Sequence, residues 1–153
     1  MPTQPELTFL ATVAVEVAEP IEVGETPEGV RRVVPITGGT VSGPSLNGRV
    51  VPAGADYQLL RSDTLTELVA KYVIETDAGE RIYVSNFGIR AGSKEDIAAI
   101  VRGETVDPAK IYFRCTPQLS TPAPQWSWLN SRLLVASGER YPDSVHLDLY
   151  VVD

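Results

Sequence analysis

Asp56, Tyr72 and Arg114 are the residues of this chain with most to offer a reaction. A carboxylate, a phenol and a guanidinium together can supply a base, an acid and an oxyanion stabiliser. Arg114 stands among aromatics in the strand-like stretch Ile111–Thr116 (IYFRCT). An arginine in that setting does not sit unpaired in a core. Either its strand face is solvated, or it has a carboxylate partner or an anionic ligand, and Asp56 is the natural partner. Two readings of the pair are open. In one, Asp56 and Arg114 form a buried structural ion pair. In the other they line a pocket mouth, Asp56 as general base and Arg114 on an enolate, phenolate or carboxylate oxygen. Desolvation raises a carboxyl pKa and makes a better base near neutrality, whereas an adjacent guanidinium lowers it again, so the readings pull against each other.

Other side chains could line such a pocket. Trp126 and Trp128 share a face if Trp126–Asn130 (WSWLN) is extended. They either pack the core or form an aromatic wall for a flat ligand, with Asn130 giving a hydrogen bond. Tyr72 and Asn86 are polar tips that need partners if buried, each other or a ligand. Arg61 and Asp63 close the stretch Gly39–Asp63, which with Gly38 carries five glycines within seventeen positions. A phosphate loop would place such glycines between a strand and a helix and end in Gly-Lys-Ser/Thr. Here there is no Gly-Lys, no G-x-G-x-x-G and no following helix, so the glycines read as turns and bulges of a curling sheet. Arg61 stays a candidate ligand contact. His146, the single histidine, shares a strand face with Asp148 and Tyr150, and no G-x-S-x-G elbow accompanies it. Cys115, the single cysteine, reads as a small buried hydrophobe. One histidine and one cysteine argue against a transition-metal site, and no cofactor motif is present.

The elements that must position these residues are almost all strands. Leu7–Val17, Arg31–Ile36, Thr40–Val41, Gly48–Val51 and Tyr57–Leu60 are β-prone. Leu68–Thr76 and Arg81–Asn86 form a hairpin around Asp77–Glu80, and Ile111–Thr116 is a further strand. Trp128–Ser137 and Ser144–Val152 are expected to close the chain as a hairpin through Gly138–Asp143, with Pro117–Pro124 as a surface loop. Alternation puts Ala70, Tyr72, Ile74 and Thr76 inside, opposite Lys71 and Glu75. It groups Ile82, Val84 and Asn86 on one face, and sets Tyr112, Arg114 and Thr116 opposite Phe113 and Cys115. One short helix is expected from Ser93 to Gly103, with Ser93 as N-cap, Asp96 three residues on, Ile97, Ile100 and Val101 on the buried face and Gly103 as the stop.

The 153 residues suit one domain, 1–153. A formal net charge of −7 argues against nucleic acid and anionic membrane as partners. No apolar run approaches the ~20 residues of a membrane helix, and the start lacks a signal-peptide pattern, so a soluble cytoplasmic protein is expected.

Set in order, several short blocks resemble one family. They are Ile36-Thr37-Gly38-Gly39, Gly43-Pro44-x-Leu46-x-Gly48-x-Val50 and Pro52-x-Gly54-Ala55-Asp56-Tyr57. Further along stand Tyr72-x-Ile74-x-Thr76-Asp77-x-Gly79, Ile82-Tyr83-Val84-x-Asn86-x-Gly88-x-Arg90 and Tyr112-Phe113-Arg114-x-x-Pro117. Trp128-Leu129-Asn130 and Gly138-x-Arg140 complete the set. The chain resembles, over nearly its whole length, the family catalogued as domain of unknown function 3237, also grouped among uncharacterised protein families. The resemblance implies a small calycin-like or lipocalin-like antiparallel β-barrel, often found as an oligomer. It implies no established chemistry. Where the family usually carries Phe-Glu-Thr this chain has Leu119-Ser120-Thr121, which removes a carboxylate. Asp63-Thr64 replaces the usual Asp-Gly, and Tyr57 the usual tryptophan after Gly-Ala-Asp.

The expectation is thus an all-β barrel with one short helix, a homo-oligomer (dimer or tetramer) with a small-molecule pocket. Its function is expected to be cofactor-independent acid/base chemistry of lyase, isomerase or cyclase type on a small hydrophobic or aromatic oxygenated metabolite. Asp56, Arg114 and Tyr72 would be catalytic, with Asn86, Trp128, Asn130 and Arg61 as ligand contacts. The alternative is a non-catalytic binding protein for an apolar ligand. A side-chain-filled barrel acting through oligomer contacts is a third possibility.

Overall fold

The structure is a computed structural model and describes residues 1–153. Ten strands follow the alternation of the sequence: β1 (Leu7–Val17), β2 (Ile21–Thr26), β3 (Gly29–Ser42), β4 (Gly48–Val50), β5 (Ala55–Leu60), β6 (Leu65–Thr76), β7 (Arg81–Ala91), β8 (Tyr112–Ser120), β9 (Leu134–Arg140) and β10 (Ser144–Val152). All pairings are antiparallel. β1 and β2 both pair with β3 and act as one stave broken at Ala18–Pro20. β4 and β5 likewise share the place between β3 and β6. The ten strands therefore make eight staves in up-and-down order, and β10 pairs with β1 to close the barrel. Closure removes the exposed edges of an open sheet, and eight staves leave an interior that side chains can nearly fill.

Inward positions carry the core. Val13 and Val15 from β1, Tyr72 and Ile74 from β6, Ile82 and Val84 from β7, Phe113 and Cys115 from β8, and Leu147 and Leu149 from β10 are all buried. The glycine run bends sheet. At Gly39, φ is +146°, and a Cβ would stand 2.1 Å from the Ala14 carbonyl oxygen. Only glycine lets β3 cross so close to β1 there.

Helix α1 (Lys94–Val101) follows the sequence signals. The Ser93 hydroxyl accepts from the Asp96 amide at 3.1 Å, and Ile97 and Ile100 are buried. Gly103, at φ +84°, ends the helix with amide bonds from Gly103 to the Ile100 carbonyl and from Glu104 to the Ala99 carbonyl. No helix is long and apolar enough to cross a membrane.

Several expectations are corrected. Of the expected strand Trp128–Ser137, only Leu134–Ser137 is strand. Pro124–Ser131 is a 3-10 helix that buries Trp126 and Leu129, and β9 starts only at Leu134. Gly138 lies within β9, so the turn to β10 is Tyr141–Asp143. Pro117–Ser120 is strand, not loop. Beyond Cys115, β8 pairs only with β7, and a strand with one free side tolerates proline. β2 was not expected, and Gly29–Ser42 is a single strand running through its glycines.

Candidate functional site

Polar side chains enter the interior at one end of the barrel, beneath α1. Period-2 alternation puts them there. β3 carries Arg32, Val34 and Ile36 inward, and β5 carries Asp56 and Gln58. β6 adds Thr66, Leu68 and Tyr72, and β7 adds Ile82, Val84, Asn86 and Arg90. The register sets Gln58 beside Arg32 on one side, Thr66 beside Arg90 and Arg90 beside Phe113. Arg90 is 2% exposed, Arg32 5% and Asp56 8%.

The hydrogen bonds are incomplete. Gln58 Nε2 donates to Asp56 Oδ2 at 2.9 Å. Asp56 Oδ1, Gln58 Oε1, Asn86 Oδ1, Thr66 Oγ1, Arg32 Nε and Arg90 Nε and Nη1 have no hydrogen-bond partner. Arg90 lies with its guanidinium carbon 5.6 Å from the centre of the Phe113 ring. It forms no ion pair; the charge of Asp56 acts on it from beyond salt-bridge distance. Arg140, at the end of β9, is half-buried and donates from Nη1 to the Tyr141 and Ser144 carbonyls.

Burial dominates the titration of this layer. It raises the Asp56 carboxyl above the ordinary range, against the hydrogen bond from Gln58 and the charges of Arg90, Arg140 and Arg32, in that order. Burial also pushes the Tyr72 phenol up and the Cys115 thiol up to about 11, so both stay protonated at neutral pH. Desolvation lowers Arg90 to about 10, which leaves it a cation.

Two cavities share a wall at Val17. The inner one, about 30 Å³, is lined by Asp56, Tyr72, Asn86 and Cys115 with apolar neighbours. That is room for about one water-sized group. The outer one, about 410 Å³, lies between the Val17–Pro20 bend, the end of α1 and the β9–β10 hairpin, with Arg32 and Arg140 in its wall.

The expected site residues divide. Asp56, Tyr72 and Asn86 come together. Arg114 does not join them, because alternation turns it outward with Tyr112 and Thr116. It lies over the Tyr112 ring and donates to the Phe113 carbonyl, so the solvated-face alternative holds and there is no Asp56–Arg114 pair. Arg61 is exposed and paired with Glu67. Trp128 is 39% exposed. Asn130 bonds the Thr121 backbone at the opposite end of the barrel, where Thr121 reaches the Arg81 carbonyl. Arg81 and Arg90 are nine residues apart on β7, roughly 30 Å along the strand. Arg32, Gln58, Arg90 and Arg140 were missed as site residues. Arg32 and Gln58 lay within expected strands, and the signal for Arg90 and Arg140 was the same period of two, carried past the expected strand ends: Asn86, Gly88, Arg90 on β7, and Ala136, Gly138, Arg140 on β9. No three His, Cys, Asp or Glu side chains converge as a metal site.

The sequence model of the family described as "Protein of unknown function (DUF3237)" matches residues 5–152. The chain belongs to this family. It is 43% identical to a UPF0311 protein of Rhodopseudomonas palustris, over 96% of both chains. The crystal structure of the conserved protein of unknown function RPA1785 from that organism superposes with a TM-score of 0.93 at 41% identity, covering both chains fully. A β-barrel-like protein of Acinetobacter baumannii gives 0.88 at 39% identity, covering 100% of this chain and 99% of that one. More distant is the PR-toxin biosynthesis cluster protein 7 of Penicillium roqueforti, 25% identical over 95% of this chain and 91% of its own length. An enzyme from Penicillium herquei shares the fold at a TM-score of 0.74 and 17% identity, covering 100% and 98%. This DUF3237 chain thus has the barrel of its family, and its polar layer lies at the helix end.

Proposed function

We propose that this DUF3237 protein is a cofactor-independent acid/base enzyme of lyase, isomerase or cyclase type, acting on a small oxygenated metabolite. One observation carries the reading: a buried carboxylate of raised pKa, with one oxygen unpaired, lines a void the size of one oxygen substituent, and the charge of a buried guanidinium with unpaired N–H groups acts on it. Asp56 takes a proton from a substrate O–H or activated C–H through Oδ1. The electron pair stays on the substrate and is stabilised by the Arg90 N–H groups, the role expected above of Arg114. Gln58 holds the other carboxylate oxygen. Tyr72, kept neutral by burial, donates a hydrogen bond. The proton returns from Asp56 to another atom of the substrate, so no co-reactant is needed. The name of the P. roqueforti relative and the description of the P. herquei structure fit small-molecule chemistry on this barrel.

The carrier alternative is weaker, because the inner void of about 30 Å³ holds no apolar ligand and the outer cavity is walled by Glu19, Glu22, Arg32, Arg102, Arg140 and Asp143, which suit one poorly. A merely filled barrel gives no reason for seven unpartnered polar atoms in its interior.

Incubation of the protein with a metabolite extract of its host, followed by mass spectrometry, tests the reading. A compound converted to an isomer, or to a product short of water or another small fragment, by the protein but not by Asp56→Asn supports it. Identical profiles with and without active protein overturn it. The homo-oligomer implied by the resemblance is part of the same proposal, and a sedimentation mass of one chain would remove it.

A further inference from the structure

The helix-end mouth holds more positive charge than its buried carboxylate balances. Arg32 is the clearest case. It is 5% exposed, its Nε has no hydrogen-bond acceptor, and its Nη1 reaches the Val101 carbonyl only at 3.4 Å. The nearest carboxylate, Glu22, is 3.5 Å from Nε but 60% exposed and solvated. Arg140 spends Nη1 on the Tyr141 and Ser144 carbonyls, which fixes its guanidinium. Its hydrogen bonds to protein all come from Nη1, so Nε and Nη2 are left for a ligand or water. Both arginines line the outer cavity of about 410 Å³. Arg90 lies deeper, and Asp56 is the one buried carboxylate among the three. Burying a cation with weak partners is unfavourable, and an anion placed among them removes that penalty.

The two cavity sizes decide how a ligand would sit. Small-molecule sites occupy about 300–1,000 Å³, so the outer cavity takes the body of the ligand and the inner void only a projecting group. Glu19, Glu22 and Asp143 also border the outer cavity and oppose an anion, but they are at its exposed rim, where water and salt screen them.

We propose that the mouth is a carboxylate anchor: the ligand's carboxylate sits between Arg32 and Arg140, its body fills the outer cavity, and an oxygen substituent projects inward to Asp56. This rests on the acid/base reading of the inner layer and adds the substrate class, an organic acid bearing a hydroxyl or carbonyl. Two arginine forks match a planar carboxylate better than a neutral oxygen.

Titration calorimetry with salicylate and its neutral isostere salicylamide tests the anchor. Salicylate should bind at least tenfold more tightly at low salt, with the preference shrinking as salt is raised. Arg140→Gln should abolish the preference, with the circular dichroism spectrum unchanged. Glu22→Gln, which removes the opposing rim charge, should strengthen salicylate and leave salicylamide as it was. Arg32→Gln should act like Arg140→Gln, and if it fails to fold, Arg140→Gln alone decides. Equal affinity for the two probes, a preference that survives Arg140→Gln, or no binding of either at millimolar concentration would each overturn the anchor. If salicylamide binds as tightly as salicylate and Asp56→Asn weakens both, the anchor fails while the acid/base reading stands. The metabolite-extract experiment judges that reading separately.

Discussion

Asp56 is where stability and function conflict. Its carboxyl titrates above the ordinary range because burial disfavours the charge more than Gln58 and the three arginines favour it. The folded protein therefore binds this proton more tightly than the unfolded chain does. Between the unfolded value, about 3.9, and the raised folded value, stability must fall as pH rises. Asp56→Asn removes that titration and can keep the hydrogen bond from Gln58. The difference in unfolding free energy, mutant minus wild type, should thus grow from about pH 4 upward and favour the mutant at neutrality. Urea titrations of both proteins across pH 3.5–8 read this difference. A wild type that gains on the mutant with rising pH would mean that the arginines dominate and hold the carboxyl low. If the mutant is more stable and also inactive, the carboxylate is kept for its chemistry, as strained or unfavourable groups at active sites are.

At the scale of the element, α1 is a small lid whose stability can be tuned apart from the barrel. Its two ends are fixed by local bonds: the Ser93 hydroxyl to the Asp96 amide, and the two amide bonds around Gly103. Ile97 and Ile100 attach it to the barrel, and the Val101 carbonyl meets Arg32 at the mouth. Ser93→Ala should cost about 1 kcal/mol. Because the loss is local, amide exchange in α1 should quicken roughly fivefold while exchange in the β6–β7 hairpin stays as it was. Unchanged exchange in α1 would show that the burial of Ile97 and Ile100, not the cap, sets its opening. This element was legible in the sequence from cap to stop, because its signals lie within eleven residues. The strands were legible in face but not in length. Tyr72 and Asn86 follow from short alternating runs. Arg90 and Arg140 do not, because a charged residue in a run reads as the end of a strand unless the neighbouring staves are known to enclose it. Arg114 shows the converse. Its aromatic neighbours suggested burial, and only the partition of β8 into a Phe113–Cys115 face and a Tyr112–Arg114 face settles its side. Trp126–Asn130 misled for a related reason: bulky apolar residues suit a strand, but Pro124 opens a 3-10 turn there.

For the whole molecule, the decisive contact is the one between the chain's first and last strands. β1 and β10 pair from Leu7–Val152 to Glu16–Ser144, and the Thr12 hydroxyl donates to Asp148 Oδ1 at 2.6 Å. No other pairing can close the ring on that side, since β1 meets only β3 on its opposite flank. The contact is also the most distant in sequence, so its loop-closure entropy must be met before the barrel is complete. The polar layer depends on it. Arg140 is tethered at the β9–β10 turn through the Ser144 carbonyl, and Val145 and Leu147 line the inner cavity. Removing residues 144–153 should therefore do more than shorten the chain. It would strip β1 and β9 of a partner, expose two long apolar-faced edges and open the core to water. The truncated chain should elute as aggregate in size-exclusion chromatography and lose cooperative thermal unfolding. Leu149→Ala, which keeps the pairing but hollows a fully buried position, should cost about 2–5 kcal/mol and leave a soluble barrel. The contrast between the two separates the role of closure from that of packing. A truncated chain that stayed soluble and unfolded cooperatively would show that seven staves suffice, and that the helix-end site does not need the ring to be closed.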